Sequence, residues 1–445
     1  MTDSAPHTDD THKGNLHRQL WVMAGPIILS NVSVPMLGAV DTAVMGHLSE
    51  PYYIGAVALG AMLFNFIYHG FNCLRMGTTG PTAQARGAGN HNEVRAMVGR
   101  ALFLAAVIGG VILMLQLPIA GIAFWAVESS DQVETLGRQY FLIRVWSLPA
   151  VLGTYAIIGW FYGLRDARIP LVLQIFTNAI NIVLDFLFVF GFEWDVAGVA
   201  AASVIAEYAG LLLGLYFVRR RLRRLPAGGE AARILDPVRL RRMITINTDI
   251  FLRTMCVVSV LALFIAHSAA LGDVPLAANQ VLHNFLIFTS FGLDGVAHAA
   301  EAILGESAGR RERKAFASGV KVVVLWGGLV GLVNLAIYAV AGTGIIALIT
   351  TIPEVRAAAA DFLPWAVCMP IVSVWAYTYD GIFLAATRTR AMRNSMMIAF
   401  AVFLALLFGL KPQFGNVGIW IALTGFMATR SLTLFLMYPR LARTI

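Results

Sequence analysis

The stretch "TNAINIVLDFLFVFG", residues 177–191, sets one acid, Asp185, between Ile180, Ile182, Val183 and Leu184 on one side and Phe186, Leu187, Phe188, Val189 and Phe190 on the other. In the core of a water-soluble bundle a lone carboxylate would be a costly defect. Whether it is one here depends on the solvent around the helix, and composition names that solvent. Of the 445 residues 58% are hydrophobic and only 13% charged, with a mean hydropathy of +0.73, against about 25% charged in ordinary soluble domains. This is the composition of an integral membrane protein. In that setting a buried acid is retained for a purpose, with Asn178 and Asn181 two turns and one turn upstream of it.

Working outward from this segment, apolar runs of about 20 residues bounded by polar or Gly/Pro breaks number twelve: 17–45, 53–85, 95–125, 133–163, 169–191, 196–222, 240–271, 274–306, 315–349, 356–386, 392–411 and 415–439. The runs are continuous and do not alternate with period two, which excludes a transmembrane β-barrel. The connections after the even-numbered spans are basic ("RGAGNHNEVRAMVGR", "GLRDARIP", "RRRLRRLPAGGEAARILDPVRLRR", "GRRERKAFASGVK", "ATRTRAMR"). The remaining connections hold only Arg138, Arg356 and Lys411. The positive-inside rule therefore places both termini in the cytoplasm of a multi-pass inner-membrane protein. It also accounts for the net charge of +8 without nucleic acid. The first fifteen residues, "MTDSAPHTDDTHKGN", lack the apolar core of a signal peptide. Cys73, Cys256 and Cys368 lie in apolar runs and read as small packing residues.

The longest basic loop, 219–242, falls near the midpoint, and short similarities link the two sides of it. "GWFYGLRDAR" (159–168) parallels "GIFLAATRTR" (381–390), "VAGVAAAS" (196–203) parallels "NVGIWIAL" (416–423), and "QARGAGN" (84–90) parallels "LGESAGR" (304–310). The expected organisation is a disordered cytoplasmic tail (1–15), a six-helix bundle (16–222), a basic cytoplasmic linker (223–239) and a second six-helix bundle (240–445). The fold class is thus all-α and polytopic, with twelve transmembrane helices in two pseudo-symmetric bundles. Parallel repeats of this kind are a secondary-transporter signature, with a substrate site expected between the halves.

Ionisable groups inside the membrane cost about 2.5 to 3.5 kcal/mol each on insertion scales, so each is a functional candidate. Asp41 lies late in span 1, after Pro26 and Pro35, which permit a helix kink; it reads as a protonatable switch or as an interfacial acid. Asn178, Asn181 and Asp185 share one face of span 5, and Ser203 in span 6 lies within reach across a short turn. A carboxylate flanked by carboxamides can hold a proton, a hard cation or a cationic substrate. The matching stretch of span 11, "MMIAFAVFLALLFGL", has no polar residue at all, which argues against a general structural need. Asp294, His298 and Glu301 form another one-faced stripe in span 8, capable of proton relay. Arg75, at an offset of 219 from Asp294, is a candidate for an ion pair between the bundles. Asp380 sits among Trp375, Tyr377 and Tyr379, either as a cradle for a lipophilic cation or beside an interfacial aromatic belt. No metal motif is present, since the stripe around His298 has no further His or Cys at convincing spacing.

These residues resemble a known family. "DTAVMGHL", "GTTGPTAQARGAGN", "GLRDARIPLVLQIFTNAINIVLDFLFVFGF" and "GLDGVAHAAEAILG" are similar to the multidrug and toxic compound extrusion (MATE) family, in the branch named after DNA-damage-inducible protein F, from about residue 16 onward. The resemblance implies a V-shaped pair of bundles that exports amphiphilic, often cationic compounds in exchange for H⁺ or Na⁺. It places the coupling site at Asp41, Asn181 and Asp185, with the helix 6 hydroxyl at Ser203. Span 7 lacks the acid that another bacterial branch uses for Na⁺, having only Asp249 at its start. That departure leaves coupling to the first half.

The expected function is antiport: protons enter the pocket of Asp41 and Asp185 as the drug leaves, and the helices repack between two access states. Expected partners are small amphiphilic or cationic molecules and the lipid bilayer, with no cofactor beyond the coupling ion, no nucleic acid and a monomeric state. A lipid-precursor flippase is the rival reading, with Arg75, Arg144 and Arg253 as its cleft cations. A membrane-embedded enzyme would need a nucleophile and base pair, a metal motif or a phosphate loop, none of which the chain shows. A receptor or channel predicts no dependence on a proton gradient.

Overall fold

In a computed structural model of the chain, the described residues are 8–45, 51–125, 130–226 and 234–445, and among these the side chains of 8–14, 34–45, 51 and 54 are not described. Every regular element among the described residues is helical. The first half consists of α1 (Thr8–Met45), α2 (Pro51–Phe71), α3 (Cys73–Gly87), α4 (His91–Met114), α5 (Gln116–Trp125), α6 (Asp131–Arg144), α7 (Leu148–Gly163), α8 (Arg168–Phe186) and α9 (Asp195–Arg224). The second half consists of α10 (Pro237–Ala269), α11 (Asp273–Gly309), α12 (Arg313–Ile349), α13 (Pro353–Ala385), α14 (Thr389–Phe414) and α15 (Asn416–Ala442).

Each of the twelve apolar runs is met by helix, and ten helical stretches among the described residues are long and apolar enough to cross a membrane. Three first-half runs are broken into pairs of helices. The break between α6 and α7 is a 3₁₀ turn at Val145–Ser147, just ahead of Pro149, which has no N–H for the helical ladder. α1 starts at Thr8, so residues 8–15, read above as tail, belong to its first turns.

Burial in these helices is inside out relative to a soluble protein. On α8 the buried stripe is Thr177, Asn178, Asn181 and Asp185, while Val172, Ile175, Val183 and Phe186 are exposed. The spacing of three and four keeps the polar groups on one face, and lipid, as apolar as the side chains themselves, takes the other.

Contacts divide the chain into two compact units. One is Leu29–Ile244; the other is Thr245–Ile445 together with α1 as far as Ile28. In the second unit the start of α1 lies on α12 and α11: Trp326 Nε1 donates to His17 Nδ1 at 2.8 Å, the Trp21 and Trp326 rings meet edge to face, and Gly295 closes on Ile28.

Within each unit the same construction recurs at a fixed interval. A Cβ at Gly159 would stand 2.2 Å from the Arg75 carbonyl oxygen, and one at Gly381 would stand 2.5 Å from that of Ala297. These contacts set α7 against α3 and α13 against α11 backbone to backbone. Both members of each contact differ by 222 residues. Positive-φ residues at helix ends pair at the same interval: Gly89 with Arg311, Arg165 with Thr387, Glu193 with Gly415. The interval corrects two of the sequence alignments by two residues, since they had paired 84–90 with 304–310 and 196–203 with 416–423. It also corrects the correspondence of Arg75 and Asp294. The counterpart of Arg75 is Ala297, and that of Asp294 is Asn72.

Candidate functional site

The first-half site is built on the antiparallel pair α8 and α9. Gly210 of α9 leaves no room for a side chain against Thr177 Oγ1 of α8, which a Cβ would approach to 2.2 Å. This close packing brings the polar faces together. Asn181 Nδ2 lies 3.5 Å from Ser203 Oγ, and both residues are buried. One turn earlier, Gln174 Nε2 donates to Asn178 Oδ1 at 2.9 Å, and Asn178 Nδ2 in turn reaches the Ser33 carbonyl oxygen of α1 at 3.4 Å. One turn later stands Asp185, with 0% of its surface accessible.

Directly after Asp185 the helix widens into a π turn, Leu187–Gly191, closed by Phe192 N–H donating to the Leu187 carbonyl. Phe188 stacks on Phe192 at 5.8 Å and tilts against Trp194 at 5.1 Å, which seats the widened turn at the α8 to α9 corner. Such single π turns recur at functional positions because they re-aim a side chain without ending the helix. Ser33 brings α1 to this site, and Asp41 and Pro35 lie further along the same helix, where side chains fall outside the described residues. α1 is one uninterrupted helix, and Pro26 is half-buried within it.

The second-half candidates have a different chemistry. Asp380 on α13 is buried, and its Oδ2 accepts from both Arg253 of α10 and Arg430 of α15. Arg430 also lies over the Tyr377 ring, 5.3 Å from its centre. Trp375 is exposed, and Tyr379 packs on Phe435 and Tyr438. Two guanidiniums thus hold the carboxylate, with the Tyr377 ring beside Arg430. Asp294 and Tyr377 lie within electrostatic reach of Arg253, so the cluster sets two acids against two arginines. Asp249, at the start of span 7, is buried as well, accepting from Thr389 Oγ1 at 2.8 Å and Arg393 at 2.7 Å. His298 Nδ1 and Glu301 Oε1 lie 2.8 Å apart along one turn of α11, both buried. Among the described residues no group of three or more His, Cys, Asp or Glu is placed to hold a metal ion. Arg75 of the first half donates from Nε to Asn72 Oδ1 at 2.8 Å and faces the Tyr162 ring at 6.0 Å.

Two features escaped the sequence reading. Arg430, the clamp on Asp380, and Glu207 of α9 are both ionisable residues inside predicted spans. The rule that singled out Asp185 and Asp380, applied to every span, picks out both.

The MatE family model matches this chain twice, over residues 26–187 and 250–409, one match in each half. The chain belongs to the MatE family. DNA damage-inducible protein F of Escherichia coli K12 is 40% identical over 95% of this chain and 92% of its own length. A probable multidrug resistance protein NorM from Synechococcus is 25% identical, covering 69% of this chain and 68% of its own. The fold agrees with that of the Vibrio cholerae MATE transporter VcmN in its bent form, with a TM-score of 0.84 at 19% identity over 98% of both chains. This MatE protein is accordingly a multi-pass membrane transporter and not an enzyme.

Proposed function

We propose that this MatE protein is a proton-coupled antiporter that exports amphiphilic, cationic compounds across the inner membrane, with both termini in the cytoplasm, and that it works as a monomer. The observation that supports this reading is the buried Asp185 on a face whose other polar groups, Thr177, Asn178 and Asn181, are uncharged. An ionised carboxylate taken out of water is costly. A proton or a monovalent cation removes that cost, and so does a cationic substrate. Occupancy by one then excludes the other, which is the requirement for exchange. Asp41 and Ser203 complete the set of Asp41, Asn178, Asn181, Asp185 and Ser203 as the coupling groups, with repacking of α1 and α8 between the two states.

The driving force suffices. One pH unit supplies about 1.4 kcal/mol per proton, and each charge crossing 100 mV adds about 2.3 kcal/mol. The test is ethidium efflux from reconstituted vesicles under an imposed pH gradient and then an imposed Na⁺ gradient, for wild type, Asp41→Asn and Asp185→Asn. Efflux driven by the pH gradient in wild type and lost in both variants is the expected outcome. Efflux that follows the Na⁺ gradient alone replaces the coupling ion, and an Asp185→Asn variant that exports at the wild-type rate sinks the scheme.

A further inference from the structure

Glu207 lies on α9 one turn beyond Ser203 toward the arginine-rich end of the helix, Arg219–Arg224. Ser203, Glu207, Gly210 and Gly214 are three or four residues apart and share one face. Gly210 packs on Thr177 of α8, and Gly214 packs on Ile157 of α7 and Leu173 of α8. That face therefore looks into the first unit and not into lipid. Glu207 is half-buried there, and among the described residues it makes no hydrogen bond or ion pair at contact distance.

The groups facing it come from each helix packed around α9. Tyr68 of α2, Arg144 of α6 and Tyr155 of α7 lie within electrostatic reach of its carboxylate, and Arg75 of α3 acts on Tyr155. Arg144 is itself engaged elsewhere: it donates to the Tyr140 hydroxyl and stands 5.3 Å from the centre of the Phe64 ring. On α8 the ionisable group of the shared face is Asp185. At the 222-residue interval the second half has Thr429 in place of Glu207 and Gly425 in place of Ser203, so the repeat itself does not require an acid there.

We propose that Glu207 is a second proton-carrying carboxylate of the first-half site, receiving the proton released by Asp185 and passing it toward the cytoplasmic end of α9. The inference rests on the antiport reading above. Four residues of α8 separate Asp185 from Asn181, and four of α9 separate Ser203 from Glu207, with Asn181 and Ser203 in contact between them. At 1.5 Å per residue the two carboxylates stand about 12 Å apart along the seam, a gap for the Ser203 hydroxyl and water to bridge. In the transfer the O–H bond at Asp185 breaks and one forms at Glu207, moving one negative charge the other way. No other bond changes.

The test uses the full chain in liposomes, with ethidium efflux and internal pH followed together under a pH gradient. The variants are wild type, Asp185→Asn, Glu207→Gln, Glu207→Asp and the pair Glu207→Gln with Arg144→Gln. Glu207→Gln is expected to bind ethidium within about twofold of wild type while its pH-driven rate falls on the order of tenfold or more and loses its dependence on internal pH. Glu207→Asp is expected to recover most of the rate with a displaced pH profile. Recovery in the paired variant overturns the proposal, since Glu207 would then only balance Arg144; a wild-type rate and profile in Glu207→Gln overturns it equally. If Glu207→Gln cannot be purified, Glu207→Asp decides alone, because an unmoved pH profile contradicts a proton carrier at this position. Wild-type vesicles without pH-driven efflux would refute the antiport reading first and the relay with it.

Discussion

Laid over one another at the 222-residue interval, the two halves each bury an acid where the other is apolar. Asp185, Asn181 and Asn178 of α8 fall on Leu407, Phe403 and Phe400 of α14, and Leu407 and Phe403 are fully buried. Conversely, Asp380 falls on Ile158, Arg430 on Tyr208 and Arg253 on Asn31. The shared fold therefore needs neither acid. The difference lies in the surroundings: Asp185 shares its seam with the carboxamide of Asn181 and the hydroxyl of Ser203, whereas Asp380 accepts from two guanidiniums, on α10 and α15. On α8 the other buried polar groups, Thr177, Asn178 and Asn181, are uncharged, so protonating Asp185 leaves no buried cation of its own helix face uncompensated. A carboxylate fixed between two arginines cannot take a proton without leaving buried cations uncompensated.

The contrast is sharpest in stability. Asp380→Asn should destabilise the protein by about 3 to 5 kcal/mol, since it removes the acceptor shared by Arg253 and Arg430 and leaves Asp294 as the remaining acid of that cluster. Asp185→Leu, which writes the second half's residue into the first, should hold or raise the melting temperature while removing pH-driven export, because an expensive buried charge disappears. Thermal unfolding in detergent, followed by tryptophan fluorescence, separates the two. A stable Asp380→Asn protein would mean that Asp294 or solvent compensates the arginines, and the distinction between a fixed and an exchangeable acid would collapse.

The twelve spans were legible because lipid demands long continuous apolar runs, and the polar stripe of α8 was legible because a spacing of three and four on one helix is local information. The hydrogen bond from Asn181 to Ser203 followed from a short turn between neighbouring spans. The clamp on Asp380 did not follow, since its two arginines come from positions 127 and 50 residues away and only packing brings them together. Short strings of similarity also mis-set the repeat by two residues in two places, and by three for Arg75 and Asp294, because matched apolar letters fix a face and leave the register loose. Backbone geometry, in the glycine contacts and the positive-φ turns, fixes it.

That register yields a paired prediction of intermediate size. Gly159→Ala and Gly381→Ala each force a methyl onto a carbonyl oxygen that belongs to a neighbouring helix's backbone, where no side-chain rotation gives relief. Each should cost about 1 to 3 kcal/mol. Equal losses in melting temperature would support equivalent construction of the two halves. A loss confined to Gly159→Ala would place the rigidity in the half that carries Asp185.

Within the site, Asn181→Ala and Ser203→Ala should be milder in stability than in transport. Hydrogen bonds between membrane helices average about 0.6 kcal/mol, so each variant should unfold close to wild type. Each should nevertheless slow pH-driven ethidium efflux, since the step between Asp185 and the rest of the seam runs through this contact. A variant that loses stability but keeps its transport rate would recast the contact as packing.

The smallest effect tests the repeat where it is imperfect. Gly89 and Arg311 occupy the same turn in the two halves with φ of +67° and +58°, and only the first has the residue suited to that region. A side chain in the left-handed region costs about 1 to 2 kcal/mol, while glycine returns about 0.5 to 1 kcal/mol of that as extra freedom in the unfolded chain. Arg311→Gly should therefore stabilise the protein by about 0.5 to 1 kcal/mol, the difference between those two terms. Gly89→Ala should destabilise it by a similar amount. Both changes lie in turns remote from Asp185 in sequence, so efflux should be unchanged. If Arg311→Gly lowers the melting temperature instead, the arginine side chain contributes more in its turn than the backbone loses, and the two turns are equivalent in geometry but not in energy.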